Sequence, residues 1–184
     1  MWDICADMTE ISAFPPAVVT MGVCGSGKTT VGERLAERLG VVFRDADEFH
    51  PPANVEKMSA GVPLGDDDRL PWLDAVGAAI RDTDPARPVV VSCSALKRSY
   101  RERIKAIAGR PVDFVFLTGS RDTLRRRMDG RKGHFMPASL LDSQLATLEP
   151  PGPDERATAV SIEPPVDEIV ETVLRSLAGA AVRA

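Results

Sequence analysis

The sequence predicts an α/β fold, a five-stranded and mostly parallel sheet with helices on both faces. Three observations carry this. Five short β-branched or apolar runs recur along the 184 residues, and helical spacing of apolar residues follows them. The runs are near-continuously apolar rather than alternating, as strands covered on both faces are. A glycine-rich turn joins the first run to the first helix, where open α/β sheets place their ligands.

The elements follow in order. Ala17–Met21 is the first strand and 22–27 a turn. Lys28–Leu39 is a helix with Val31, Leu35 and Leu39 on one face, and Gly40 stands where a helix C-terminal glycine belongs. Residues 41–43 begin a second strand that ends at Asp45. Residues 51–61 read as a short helix, 64–69 as an acidic loop, and 71–81 as a helix with Pro71 in its first turn. Alternation then returns: strand 89–93, helix 96–108, strand 112–118, helix 120–129, helix 137–148 stopped by Pro150 and Pro151, strand 157–162. The closing helix, 166–177, turns Val166, Ile169, Val170, Val173, Leu174 and Leu177 inward. Three segments fall at the carboxyl edge of the sheet: 22–29, 45–50 and 92–98. Residues 51–82 and 130–138 are excursions over that edge.

Composition narrows the function. At roughly 150 residues per domain the length suits one domain, here 15–184, with 1–14 as a flexible N-terminal extension. Lys and Arg number 23 against 27 Asp and Glu, a net charge of −4 that argues against nucleic-acid binding through bulk charge. Three cysteines make no disulfide framework and point to a reducing cytoplasm. No apolar run approaches the length of a membrane span, and 1–14 has no basic region of a signal peptide.

Gly22-Val23-Cys24-Gly25-Ser26-Gly27-Lys28-Thr29 matches G-x-x-x-x-G-K-[ST] after a strand and at the opening of a helix, the context that gives the motif its meaning. Backbone N–H groups curl around an anion, and the helix N-terminus adds its dipole. Lys28 reaches the β- and γ-phosphates, and the Thr29 hydroxyl coordinates Mg²⁺. The candidate nucleotide-binding set is these eight residues with Thr30. Cys24 serves through its backbone, not as a nucleophile.

A second magnesium ligand is needed. The strand at 89–91 runs into Ser92-Cys93-Ser94 with no acid, so the nearest strand-end acids are those of Asp45-Ala46-Asp47. Residues two apart on an extended segment share a face, so one carboxylate can hold hydrated Mg²⁺ and the other can accept a proton from an attacking hydroxyl. A GTPase switch would want D-x-x-G and N-K-x-D motifs, and neither occurs. A pure nucleotide-binding module would not need the Asp pair.

Longer blocks carry a resemblance. Asp45-Ala-Asp47-Glu-Phe-His50-Pro, Asn54-x-x-Lys57-Met58-x-x-Gly61-x-Pro63-Leu64 and Asp66-Asp67-Asp68-Arg69-x-Pro71-Trp72-Leu73 resemble the gluconokinase family. So do Cys93-Ser94-Ala95-Leu96-Lys97-Arg98-x-Tyr100-Arg101, Arg131-Lys132-Gly133-His134-Phe135-Met136 and Ser143-Gln144-x-x-Thr147-Leu148-Glu149-Pro150. The match runs from about Val18 to Leu177. One departure is Ala46, where the family tolerates Gly. The resemblance implies the P-loop kinase fold shared with shikimate kinases and nucleoside-monophosphate kinases. It implies ATP-dependent, Mg²⁺-dependent phosphorylation of D-gluconate on its 6-hydroxyl, often by a homodimer. A kinase of another small acceptor, such as shikimate or another sugar acid, is the alternative.

Under this resemblance Asp45 is assigned to the metal and Asp47 to the acceptor hydroxyl, so Lys28 and Asp47 are the catalytic candidates. Gluconate needs a cation for its carboxylate and hydrogen-bonding groups for its hydroxyls. Residues 51–82 form the acceptor-binding region. His50, Arg69, Lys97 and Arg98 are the substrate candidates, beside Asp47. Arg69 has a competing reading as a salt-bridge partner of the acids before it. Lys97 and Arg98 stand where a helix begins, a place unfavourable to cations unless an anion binds. Lys57 and Arg101 read as surface, Trp72 and Met58 as core. Arg127 and Arg131 resemble paired lid arginines, one over adenine and one on phosphate, with the lid at 130–138. Arg121, Arg125 and Arg126 face solvent, and no aromatic residues interleave the basic cluster as a nucleic-acid site would want.

Overall fold

A computed structural model describes residues 15–130 and 138–181. The expected N-terminal extension and nearly all of the expected lid, Arg131 included, lie outside the described residues. The chain runs β1 (Ala17–Met21), α1 (Lys28–Leu39), β2 (Val42–Asp45), a 3₁₀ turn (Ala46–Phe49), α2 (Pro52–Ser59), α3 (Asp66–Arg81), β3 (Val89–Ser92), α4 (Arg98–Ala108), β4 (Asp113–Thr118), α5 (Arg121–Asp129), α6 (Ala138–Thr147), β5 (Ala157–Ser161) and α7 (Val166–Ala181).

The five strands form one sheet of order β2-β3-β1-β4-β5, and every pairing is parallel. Side chains alternate between the two faces of a strand, and each face has its own core. Val18, Val90, Val115 and Leu117 pack with Leu35, Leu124, Ile169 and Val173 from α1, α5 and α7. Val19, Met21, Val91, Phe114 and Phe116 pack with Trp72, Leu73, Val76 and Ile104 from α3 and α4. The continuous apolar reading holds for β1 and β3, which are buried at every residue. It fails at the edges: β2 and β5 are half-exposed, because each has a neighbour on one side only.

Gly40 ends α1 in the left-handed region, φ +65°, with its N–H turned back to the carbonyls of Ala36 and Glu37. Two boundaries differ from the sequence reading. The acidic run Asp66–Asp68 is the first turn of α3, not a loop. Three carboxylates there oppose the positive end of the helix dipole, and Asp68 accepts the Gly65 N–H at 3.0 Å. Pro71 therefore lies inside the helix. Helix α4 starts at Arg98 rather than at 96, because the Leu96 carbonyl is taken by Glu149 N at 2.9 Å.

Candidate active site

The phosphate loop runs from the end of β1 to α1. Gly22, Gly25 and Gly27 all have positive φ. A Cβ at Gly22 would stand 2.7 Å from the Leu117 carbonyl, and one at Gly25 would stand 2.7 Å from that of Leu124, so only glycine fits either place. Ser26 Oγ is fully buried and has no hydrogen-bond partner among the described residues. It is a polar atom whose missing partner suits a bound phosphate oxygen. Lys28 Nζ folds back to the Val23 carbonyl at 3.2 Å, holding its charge over the loop. Cys24 is nearly buried: its N–H donates to Gln144 Oε1 at 2.7 Å, and its thiol lies 3.3 Å from Met128 Sδ.

The loop is joined to the acid pair by one hydrogen bond. Thr29 Oγ1 donates to Asp45 Oδ2 at 3.1 Å. Asp45 Oδ1 accepts the Asp47 N–H at 3.0 Å, which caps the 3₁₀ turn and fixes where Asp47 leaves the sheet edge. The Asp47 carboxylate makes no hydrogen bond or ion pair with the described residues and is exposed. Two hard oxygens from Thr29 and Asp45 fit Mg²⁺, which keeps waters and takes few protein ligands. Among the described residues no group of three or more His, Cys, Asp or Glu could hold a metal.

Beside Gly27 lies a cavity of about 190 Å³ lined by Gly25, Gly27, Thr30, Val31, Arg127, Val166 and Ile169. Arg127 Nη2 donates to the Ile162 carbonyl at 2.5 Å, which holds the guanidinium as one wall. Apolar walls from Val31, Val166 and Ile169 and a planar cation suit an aromatic base. Thr30 and Arg127 are the expected nucleotide contacts here. Val166 and Ile169 are additions: their helical spacing marks them as core, and the first turn of α7 also places them on this cavity.

The residues expected to bind the acceptor separate. His50 stacks on Trp72 with centroids 4.3 Å apart and rings 11° from parallel, and Trp72 Nε1 donates to the Ala46 carbonyl at 2.7 Å. Trp72 is thus core, as expected, and also the platform for His50. Burial is the main cause lowering the His50 pKa. The Asp47 charge works against it and the Arg69 charge with it, so His50 stands within the field of both. Asn54 is buried, with Nδ2 donating to the Asp68 carbonyl at 2.7 Å and lying 3.4 Å from His50 Nδ1.

Lys97 binds both oxygens of Asp66 at 2.7 and 2.8 Å, and the Tyr100 hydroxyl donates to the same carboxylate. Lys97, then Tyr100, hold Asp66 below the usual carboxylate range. Arg69 does not pair with the acids of α3. Its Nε reaches the Leu64 carbonyl at 3.4 Å, and its guanidinium lies 5.9 Å from the Tyr100 ring centre.

Arg98 is not brought to this group. It faces Asp154 at 2.6 Å and Glu102 at 2.9 Å on an exposed surface, because the first turn of α4 points it toward the 149–155 loop. Two other expectations are corrected. Met58 is 42% exposed rather than core, since α2 buries only Asn54. Arg101 is fully buried rather than surface, paired with Glu155 at 2.6 and 2.8 Å. Lys57 is exposed and paired with Asp68 at 2.6 Å, as a surface residue would be. Arg121, Arg125 and Arg126 are exposed. No helix among the described residues is long and apolar enough to cross a membrane.

Known proteins give the same picture. The family described as "AAA domain" matches residues 18–151. A gluconokinase of Gluconobacter oxydans (strain 621H) is 50% identical over 168 residues, 91% of this chain and 94% of its own. The crystal structure of a gluconokinase from Sinorhizobium meliloti 1021 is 51% identical with a TM-score of 0.84, covering 92% of this chain and 95% of that one. A shikimate kinase from Acinetobacter baumannii, 18% identical with a TM-score of 0.59 and covering 95% of this chain and 98% of its own, shares the fold alone. A phosphate loop and an acid pair on this sheet, with half of all residues identical along most of the chain, have one reading: the chain belongs to the gluconokinase family.

Proposed function

We propose that this protein transfers the γ-phosphoryl group of ATP to the 6-hydroxyl of D-gluconate, giving 6-phospho-D-gluconate and ADP. The observation that carries the reading is the Thr29–Asp45 hydrogen bond. It ties the first turn of α1 to the acid whose other oxygen holds the Asp47 N–H, which supports a reading in which donor and acceptor meet at this edge. The relatives' printed names support gluconate as the acceptor.

Each residue has a task in this reading. The Cys24 and Gly22 amides are spent on Gln144 and Ser94, so the amides of Gly25 and of Gly27 to Thr30 and the buried Ser26 hydroxyl hold phosphate oxygens, and Lys28 offsets the charge that builds on the transferred group. Thr29 and Asp45 would hold Mg²⁺, which supplies charge neutralisation on the phosphates. Arg127, Val166 and Ile169 hold the base. Asp47 accepts the proton of the 6-hydroxyl.

The carboxylate of gluconate falls to Arg69. Lys97 already serves Asp66 and Arg98 serves Asp154 and Glu102, whereas Arg69 is in no ion pair with a described residue. His50 on Trp72 and Asn54 supply directed hydrogen bonds for hydroxyls. Residues 51–82 are the acceptor-binding region of a single domain spanning 15–184. The reading extends to a lid at 130–138 with Arg131 on phosphate, and to a cytoplasmic homodimer that binds neither nucleic acid nor membrane. Sedimentation velocity tests the dimer.

The test is ADP release with a panel of acceptors. D-gluconate should support turnover. Turnover with shikimate or AMP in its place would overturn the acceptor, and silence with every acceptor would favour a nucleotide-binding module without transfer.

A further inference from the structure

Among the described residues Ala95 alone, glycines aside, has positive φ, at +41°. In that region a Cβ crowds the following carbonyl, and the conformation persists only where the surroundings over-determine it. Here the surroundings are a buried ion pair. Arg101 is 0% exposed and Glu155 has a side chain 3% exposed. Arg101 gives Nε and Nη2 to the Glu155 carboxylate. Its Nη1 serves three carbonyls: Ala95 at 3.1 Å, Leu96 at 3.3 Å and Glu149 at 3.0 Å. A planar guanidinium used this way is a template for the path of the chain.

The turn that it shapes separates the two halves of the site. On one side, the Ser94 carbonyl accepts the N–H of Gly22, the first residue of the phosphate loop, at 3.3 Å. On the other, Lys97 and Tyr100 hold Asp66, and the Tyr100 ring lies beside Arg69. A buried ion pair is not in itself a gain in stability over apolar packing, and Arg101 lies apart from the reacting groups. Its reach over Ala95 gives the pair another use.

We infer that Arg101, backed by Glu155, is a positioning residue that holds Ala95 in its left-handed turn and so sets Tyr100, and with it Arg69, at its distance from the phosphate loop. The inference rests on the acceptor assignment above.

The experiment begins with wild-type turnover of D-gluconate. Its absence refutes the acceptor assignment, and the positioning role is then read on whichever acceptor the panel identifies. Arg101→Met/Glu155→Gln removes both charges together and leaves no orphan ion. The KM for gluconate should rise about tenfold, while the affinity for a fluorescent ADP analogue stays within about twofold. Adding Ala95→Gly, which adopts positive φ without crowding, should recover most of the acceptor KM and leave the lowered Tm where it was. A merely structural pair gives another split: Tm falls, the folded protein keeps the wild-type KM, and glycine at 95 changes nothing. That result overturns the inference. If the double variant does not fold, Arg101→Lys carries the test, since it keeps a charge for Glu155 but lacks the Nη1 group that serves the three carbonyls. An unchanged gluconate KM in that variant overturns the inference equally.

Discussion

Thr29 and Asp45 meet side chain to side chain at 3.1 Å, joining the first turn of α1 to the end of β2. Asp47 follows at once, with its N–H held by the other oxygen of Asp45. The two acids are therefore unequal. One is turned into the phosphate loop, and the other is left with a carboxylate that no described residue engages.

Their amides should behave differently. Asp45→Asn removes a charge that would offset the metal, so raising Mg²⁺ should restore part of the rate. Asp47→Asn keeps a hydrogen-bond acceptor but cannot take a proton, so Mg²⁺ should not help, and turnover should fall by about 10²-fold, the lower end for a lost general base. Initial rates against Mg²⁺ at saturating gluconate check this. Rescue of the 47 variant alone would mean that the roles are exchanged.

Lys28→Ala should leave Tm nearly unchanged, because the side chain leans on the loop and not into either core. Turnover should fall by at least about 10²–10³-fold, the usual scale for one group aimed at developing charge. Thermal unfolding and a steady-state assay on one preparation give both values, and normal turnover would remove the phosphate loop from the mechanism.

Arg127→Ala takes one wall from the cavity beside Gly27. Affinity for ADP should fall by about tenfold, in line with the loss of one stacked cation, while the gluconate KM stays put. Isothermal titration with ADP reads the first and saturation kinetics the second. An equal loss on both sides would place Arg127 in the coupling of the sites instead.

Glu155 is held at about 2, against its ordinary 4.5, first by the Arg101 guanidinium that it binds. A depressed carboxylate contributes stability that is present above its unfolded value and is lost as pH falls through the folded one. The pair therefore supports the fold above about pH 4.5 and fades toward pH 2. Glu155→Gln leaves Arg101 buried without its counter-ion and should cost about 3–5 kcal/mol near neutral pH. The gap between variant and wild type should narrow below pH 4.5. Urea unfolding across that range checks the sign, and a gap that widens on acidification would contradict it.

The sheet, and the meeting of the phosphate loop with Asp45, are legible because their signals are local. Lys28 and Thr29 lie in a motif whose every residue has a backbone or charge role, and Asp45 and Asp47 end a strand where acids have few other uses. The acceptor half was harder to read. Arg69 could have spent its charge on the acids beside it, and Lys97 could have been unpaired; which one pairs depends on α3 packing against α4, a contact between residues 31 apart. Arg101 reads as surface because a mid-helix arginine commonly is, and its partner Glu155 stands 54 residues away. Asp66–Asp68 read as a loop because Pro71 suggested a later helix start, whereas dipole complementarity set the earlier one.

The most direct test of 6-hydroxyl transfer is the phosphorus-31 spectrum of the product made from ATP, Mg²⁺ and D-gluconate. Transfer to the 6-hydroxyl gives a new phosphomonoester resonance split into a triplet by the two protons of C6, growing in step with ADP. A doublet, from phosphate on a secondary hydroxyl, or inorganic phosphate alone would contradict it.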